Sequence, residues 1–343
     1  MAQNPRSRAT IDDVAKLANV STATVSRVLN KTGQVASNTS DLVMAAVNQL
    51  GYVPHSGARQ MAGGRPNLVG LIFPGIADPF LSEMLQGIEE QLTAEGFDLL
   101  LYCTQNRSKQ DHMGFLPLNE HNSDGLIVFA NSLSEEELTR FHSRHFPLVL
   151  LHQTPPTGLN IPSVTVDNKD GAYEAVSHLI NCGRRRIAFL AGPEGNEDSN
   201  WRELGYRESL AEHGIQFRPE LVKRGDFSAT VAETAVAHWL LDGVGLDAIF
   251  AADDNSAQGA LFAVNHADKR VPEDVAVVGF DDVNLARYMT PPLTTVRAPI
   301  KDAGRKAAEQ LIKLIRGQTA DSLTLLPTEL IIRESCGSHL MQP

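Results

Sequence analysis

Cysteine is scarce: Cys103, Cys182 and Cys336 are the only three in 343 residues, and they lie far apart. That spacing excludes a disulfide framework and any CxxC metal pair. No apolar run reaches the roughly 18 residues of a membrane span. The N-terminal stretch MAQNPRSRATIDD lacks the apolar segment of a secretory signal, so a cytoplasmic protein is expected. Positive charge is in deficit, with 30 Lys and Arg against 41 Asp and Glu for a net of −11. Taken alone, that deficit argues against a nucleic-acid binder. Catalytic signatures are also missing: there is no P-loop, GxSxG or HExxH. Gly243-Val244-Gly245-Leu246-Asp247-Ala248 fits G-x-G-x-x-A, but it precedes an apolar strand-like run, the wrong context for a dinucleotide. His142 and His145 share an expected helix with no third ligand nearby, and read as solvated surface. No enzyme, cofactor or metal is expected.

What is present is a chain with 42% hydrophobic and 21% charged residues, enough for a sizeable core and for two or three domains. Its charge is unevenly spread. Residues 1–66 carry Arg6, Arg8, Lys16, Arg27, Lys31, Arg59 and Arg65 against Asp12, Asp13 and Asp41, a net of +4, which leaves −15 for the rest. Such asymmetry points to a nucleic-acid-binding end.

That end has helical punctuation. Thr10 and Asp13 form a capping-box pattern ahead of Val14, Ala15, Leu17 and Ala18. Ser21 caps a second short helix, Thr22 to about Leu29, with Val25, Val28 and Leu29 inward and Thr22, Ala23, Ser26 and Arg27 outward. A third helix, about Thr39 to Leu50, carries Leu42, Val43, Ala46, Val47 and Leu50 at helical spacing. Two short helices joined by a tight turn, with a third across them, make a helix-turn-helix pattern. A small packing domain with ordinary polar surface would show the same spacing.

Specific residues go further. Thr10-Ile11-Asp12-Asp13-Val14-Ala15, then Val20-Ser21-Thr22-Ala23-Thr24-Val25-Ser26-Arg27-Val28-Leu29-Asn30, then Leu50-Gly51-Tyr52-Val53-Pro54, resemble the signature of the lactose-repressor (LacI/GalR) family of bacterial transcription regulators. The similarity runs on to Arg333-Glu334-Ser335-Cys336. The resemblance implies that Thr22, Ala23 and Arg27 read bases, and that Ser21, Thr24, Ser26 and Asn30 hold phosphates or structure, with Tyr52 also on the DNA side. Arg27 is the best base reader, since Arg can be bidentate to guanine; contact with phosphate alone is the alternative. The resemblance divides the chain into a DNA-binding head at 1–53, a hinge helix and linker at 54–66, and an effector-binding and dimerisation core at 67–343. In the hinge, Met61 falls at the minor-groove wedge position, Ala62 allows close approach, and Arg59 and Arg65 fit nearby phosphates, although Gly57 departs from the family pattern. A plain linker is the alternative there.

Ten apolar segments recur after residue 67: Val69–Pro74, Asp98–Thr104, Gly125–Ala130, Pro147–His152, Ser163–Asp167, Arg186–Gly192, Ala248–Asp253, Val275–Asp281, Leu293–Arg297 and Glu329–Glu334. Alternation of such strands with amphipathic stretches predicts parallel α/β sheets covered on both faces. Two lobes with a ligand crevice at strand C-terminal ends are expected. The resemblance implies a periplasmic-binding-protein type I core with three crossings, near Val166–Asn168, Pro291–Arg297 and Leu326–Glu329. The N-lobe would then be about 67–166 plus 293–326, and the C-lobe about 167–292 plus 327–343.

Position matching puts Phe80, in an Asp78-Pro79-Phe80 loop, together with His152, Trp201, Arg202, Phe227, Asp253 and Asp281 around the effector. Carboxylates, an Arg fork and aromatic faces suit a polyhydroxylated ligand. Asp254 and Asp282 read as structural caps and Trp239 as core. The expected function is a repressor whose affinity for a pseudo-palindromic operator is controlled by a sugar or glycoside, acting as a homodimer because no C-terminal leucine heptad is present. Alternatives are a purine- or nucleoside-responsive regulator, a phosphocarrier-dependent global regulator, and a transport-type sugar-binding protein. The last leaves residues 10–64 unexplained.

Overall fold

The computed structural model describes residues 9–30, 33–52, 66–75, 79–104 and 116–338. Arg59, Met61, Ala62 and Arg65 of the hinge, and Asp78 of the cleft loop, lie outside the described residues. The chain divides into two compact units, one from the N-terminus to Leu68 with Glu120–Asp124, the other Val69–Asn119 with Gly125–Pro343.

Among the described residues, the first unit contains three helices: α1 (Ile11–Ala18), α2 (Thr22–Asn30) and α3 (Ser37–Leu50). Thr10 closes the expected capping box with Asp13, and Asn19 ends α1 in the left-handed conformation at φ 52°. Ser21 Oγ accepts from the Thr24 amide at 3.2 Å and lies 2.9 Å from Thr24 Oγ1, so both hydroxyls serve the start of α2. The core is Val14, Ala15, Ala18, Val25, Val43, Ala46 and Val47, joined by Tyr52. Two apolar residues expected inside are on the surface, Leu17 at 45% and Leu42 at 52% exposure. On helices this short, small inward side chains (Ala15, Ala18, Ala46) bring the backbones together and leave the larger residues at the rim.

In the second unit the first sheet has the order β11-β5-β4-β3-β1-β2, from β1 (Leu68–Phe73), β2 (Asp98–Cys103), β3 (Gly125–Phe129), β4 (Leu148–Leu151), β5 (Ser163–Val166) and β11 (Leu323–Leu326). The second has the order β12-β10-β9-β8-β6-β7, from β6 (Ile187–Ala191), β7 (Val222–Arg224), β8 (Ala248–Ala251), β9 (Ala276–Asp281), β10 (Thr294–Arg297) and β12 (Glu329–Ile331). The registered pairs are parallel except β10 with β12. Interior strands β3, β4, β6, β8 and β9 are buried almost throughout, as their continuous apolar runs predict. β7 and β11 were not foreseen. Both are short and sit at sheet edges, where half-exposed side chains give no long apolar run.

The second crossing needs correction. The sequence reading gave 293–326 to the first lobe, but β10 pairs in parallel with β9, so 294–297 belong to the second sheet. The chain changes lobe between Arg297 and helix α10 (Ile300–Ile315), which packs on β3, β4 and β5. An apolar strand could have joined either sheet; the choice follows from the short link to β9, through a 3-10 turn at Asn284–Tyr288, which keeps the two strands neighbours.

Helices α4 (Pro79–Ala94) and α10 cover the first sheet together, α5 (Glu135–Ser143) links β3 to β4, α6 (Asn168–Asn181) pairs with α7 (Glu197–Glu212), and α8 (Ala229–Leu241) with α9 (Asp254–His266). Close approach at the α4–α10 crossing depends on missing side chains. A Cβ at Gly87 would lie 1.9 Å from the Lys301 carbonyl oxygen, and one at Gly304 2.3 Å from that of Met84. Asp254 ties α9 to the sheet: its carboxyl accepts from the Val283 amide at 2.9 Å and from Thr295 Oγ1 at 2.6 Å. Trp239 is buried in the second lobe's core with its indole N–H on the Glu220 carbonyl. Asp282 caps no helix; it pairs with Arg297 and Arg333.

Gly304→Ala should lower stability by about 1–3 kcal/mol, since backbone cannot yield as a flexible side chain would; denaturant unfolding tests this. Burial pushes the Asp254 carboxyl up to about 8, against the lowering by Thr295 and Val283. Because this folded-state value exceeds that of an unfolded Asp, the contribution is complete below pH about 4 and declines as pH rises toward 8. Asp254→Asn should flatten that part of the stability–pH curve in paired unfolding titrations.

Candidate functional site

The C-terminal ends of both sheets border a cleft of about 910 Å³. Phe73, Phe80 and Phe129 line it from the first lobe, and Phe227 from the second. Phe80 enters at the start of α4 and meets Phe129 edge-on at 6.1 Å between ring centres. Phe227 lies over Gly192, where a Cβ would come within 2.4 Å of the ring. The polar lining includes Asn131, Asn196, Asp198, Arg202, Asp226, Asp253, Asn255 and Asp281.

Beneath these groups runs a buried polar chain that joins the lobes. His152, after β4, is fully buried, and its Nδ1 lies 2.8 Å from Asp198 Oδ2 on α7. Asp198 Oδ1 accepts from Asn168 Nδ2 at 2.7 Å, and Asn168 Oδ1 accepts from Arg202 Nε at 2.8 Å. Arg202 also donates to the Ala252 carbonyl, lies 3.3 Å from Asp281 Oδ1, and covers the Phe280 ring at 3.8 Å. Burial alone would raise Asp198, but His152 and Arg202 with the Asn168 hydrogen bond outweigh it and hold the carboxyl below the usual range. Asp253 caps α9 by accepting from the Asn255 and Ser256 amides, which fixes it at the cleft edge.

Backbone strain gathers at the same place. Of the ten non-glycine residues with positive φ among the described residues, six are Asn131, His152, Asp226, Phe227, Asp281 and Asp282, all in turns or strand ends at the cleft side of the sheets. Such conformations cost of order 1–3 kcal/mol each and collect at binding sites.

Of the seven residues expected around an effector, Phe80, Arg202, Phe227, Asp253 and Asp281 line the cleft together. His152 lies behind the lining, bonded to Asp198. Trp201 does not line the cleft: it is 44% exposed, with its indole N–H on Glu197 Oε1 at 3.3 Å. It directly precedes Arg202 on α7, about 100° round the helix, and falls outside the buried stripe of Asp198, Ser199, Arg202, Gly205 and Tyr206. Arg202 itself is 3% exposed and already engaged at Nε, NH1 and NH2, so it positions Asp281 and Asn168. Sequence reasoning missed Phe73, Phe129, Asn131, Asp226 and Asn255, while Asn196 and Asp198 lie in the acidic 194–198 loop that the sequence offers to a larger saccharide. The signal for several was their place just after or at the end of an apolar strand, as in Phe129-Ala130-Asn131.

On the head, Ser21, Thr22, Ala23 and Arg27 are exposed, Thr24 and Ser26 partly so, and Asn30 ends α2. Thr22, Ala23, Ser26 and Arg27 share one outward face at helical spacing. Tyr52, expected on the DNA side, is 7% exposed and belongs to the head's core cluster, which also holds Val14 and Val47. No group of three His, Cys, Asp or Glu suited to a metal occurs among the described residues, and no helix there is long and apolar enough to cross a membrane.

Comparison with known proteins agrees with this architecture. Residues 10–55 match the bacterial regulatory proteins of the lacI family, and residues 176–336 match the periplasmic binding protein-like domain. The HTH-type transcriptional regulator DegA of Bacillus subtilis is 34% identical over 96% of this chain and 98% of its own. The structure of the transcriptional regulator CelR in complex with cellobiose is similar with a TM-score of 0.72 at 33% identity, covering 96% of this chain and 100% of that one. The lac repressor dimer bound to operator and the anti-inducer ONPF is similar with a TM-score of 0.82 at 28% identity, covering 96% and 99%. These relatives are transcriptional regulators. With a helix-turn-helix head, two parallel-sheet lobes and full-length similarity of this kind, the chain belongs to the lacI family of bacterial regulatory proteins.

Proposed function

We propose that the protein is a sugar-responsive repressor: a homodimer that reads a pseudo-palindromic operator and takes an uncharged sugar or glycoside in its cleft. The observation that carries the effector class is the lining itself. Aromatic rings stand on both walls, four aspartates and three asparagines offer hydrogen-bonding groups, and Arg202, the one cation lining the cleft among the described residues, is already committed. Rings cover the C–H faces of a sugar while carboxylates and amides bond its hydroxyls. The cellobiose in the CelR complex supports this reading. A phosphate or carboxylate on the ligand would add negative charge to a wall with four carboxylates and one spent guanidinium, so the cleft discriminates against phosphorylated sugars.

On the DNA side, Arg27 is the base reader, flanked by Thr22 and Ala23, which are small enough for close approach in the major groove. Ser21 and Thr24 bond each other, so they shape the start of the helix and leave the phosphate contacts to neighbouring groups. In the hinge, Met61 would wedge into the minor groove between the two heads, with Ala62 allowing close approach and Arg59 on nearby phosphates. Binding in the cleft biases lobe orientation and thereby hinge pairing, with release of the operator as the expected sense. The coupling is reciprocal: a sugar that weakens operator binding by some factor binds the operator complex more weakly by the same factor.

Calorimetry with a neutral disaccharide and its phosphate monoester should show the monoester binding at least about ten-fold more weakly, or about 1.4 kcal/mol. Asp226→Asn, at the exposed rim, should narrow that gap. A purine nucleoside that binds and shifts operator affinity, while no sugar does, would overturn the effector class. Separately, Arg27→Ala should cost about 1–3 kcal/mol on operator DNA and much less on random duplex. A loss no larger than that of Arg270→Ala, an exposed site on the core, would remove Arg27 from base reading.

A further inference from the structure

The second lobe carries a thiol pair that regulation of DNA binding does not use. Cys182 caps the C-terminal end of α6, and Cys336 lies in the segment that follows β12. They are 154 positions apart in sequence, yet both sulfurs meet one imidazole nitrogen. His178 Nε2 is 3.3 Å from Cys336 Sγ and 3.7 Å from Cys182 Sγ. The two differ in access, since Cys336 is fully buried and Cys182 partly exposed. The third cysteine, Cys103, is exposed on the edge strand β2 of the other sheet.

We propose that Cys182, His178 and Cys336 form an oxidation site, at which a hydroperoxide converts the two thiols to an intramolecular disulfide. Cys182 is the entry sulfur, Cys336 the resolving sulfur, and His178 the group that moves the proton between them.

The surroundings assign these roles. Burial raises the Cys336 thiol, but hydrogen bonds with His178, Ser338 and Thr294 outweigh it and bring it down to about 6, so it is a thiolate at neutral pH. Burial, and then the Cys336 charge, push Cys182 up, so the exposed sulfur holds the proton. The pair therefore stores one thiolate out of reach of solvent beside a thiol within reach. Transfer of the Cys182 proton through His178 to Cys336 places the thiolate on the accessible sulfur. That thiolate attacks the outer peroxide oxygen and the O–O bond breaks. The leaving alkoxide takes a proton to become the alcohol, and Cys182 becomes a sulfenic acid. Cys336 sulfur then attacks the Cys182 sulfur, the S–O bond breaks, and the hydroxyl leaves as water with the proton that Cys336 had received. One thiol, one thiolate, one hydroperoxide and one proton from solvent, taken by the alkoxide, give one disulfide, one alcohol and one water. The two sulfur atoms are oxidised and the two peroxide oxygens reduced.

Little else has to move. The Cys336 segment is already fastened to the second sheet, because Ser335 Oγ donates to the Val277 carbonyl at 2.6 Å and accepts from the Thr294 amide at 2.8 Å. The end of α6 is fixed by Arg184, whose NH2 donates to the Pro272 carbonyl. The disulfide joins two anchored segments.

The test uses the full chain, reduced, freed of reductant and treated with hydrogen peroxide. Titratable thiols after unfolding should fall from three to one. Tryptic mapping should give residues 170–184 linked to residues 334–343, which separate again on reduction. Cys103→Ser should leave the link intact. Cys182→Ser should leave Cys336 reduced under the same treatment, since the buried sulfur then has no exposed partner. His178→Asn should slow the link and flatten its dependence on pH, an effect that a purely packing role would not produce. The proposal is overturned if peroxide consumes Cys103 alone, if Cys182 proceeds to sulfinic acid with no link, or if Cys336 is oxidised equally fast in Cys182→Ser. Wild-type mapping decides the link itself, should any variant fold poorly.

Discussion

The cleft exists in its present form because charge is buried beneath it. His152 and Asp198 face each other from opposite lobes, and Asn168, Arg202 and Asp281 continue the chain to the far wall. Taking such groups out of water is costly unless each finds a partner, and removing one member leaves another stranded. The lobes are therefore held at a separation and orientation that satisfy this chain, and the cleft takes its shape from the requirement. Thr154 adds a second tie, its amide and hydroxyl both donating to Glu197 across the lobes. A ligand that shifts the lobes must do so against these bonds or by exchanging them for its own.

The same arrangement explains why the cleft is acidic although an arginine lies in its wall. Arg202 is spent on Asp281, Asn168 and the Ala252 carbonyl, and its face is covered by Phe280. Asp226 and Asp253 are then left as the polar rim, the first exposed and the second fixed by helix capping. Across the whole chain, a basic head and an acidic core give DNA attraction to one end only, so contact is directed to the reading helix without a positively charged protein overall.

Much of this was legible before any coordinates. Thr10 and Asp13 announced the first helix because a capping box is a local matter of one turn, and the runs Leu126–Phe129 and Val275–Phe280 announced interior strands because burial on both faces leaves no polar alternation. Where partners are distant in sequence, reading failed. β10 was given to the wrong lobe since apolar character does not say which sheet a strand joins. Position alone assigns Tyr52 to DNA and Trp201 to the ligand, whereas Tyr52 packs in the head's core and Trp201 stands exposed outside the cleft lining. Arg202 lines the cleft, but its commitments to Asn168 and Ala252, 34 and 50 residues away, leave no trace in local pattern.

The left-handed turns around the cleft bear on how such a protein can acquire a new ligand. Asn131, Asp226, Asp281 and their neighbours hold backbone conformations that most side chains resist. Asn, Asp and Gly adopt these conformations most readily, and His152 and Phe227 hold them at a cost, whatever the ligand. Variation that retunes recognition is thus channelled to Phe73, Phe129, Asn196 and Asn255, which stand on ordinary backbone in the same wall. A library that randomises the strained turns would spend most of its diversity on chains that fold poorly. One confined to the unstrained wall would explore ligand preference while the scaffold stays intact.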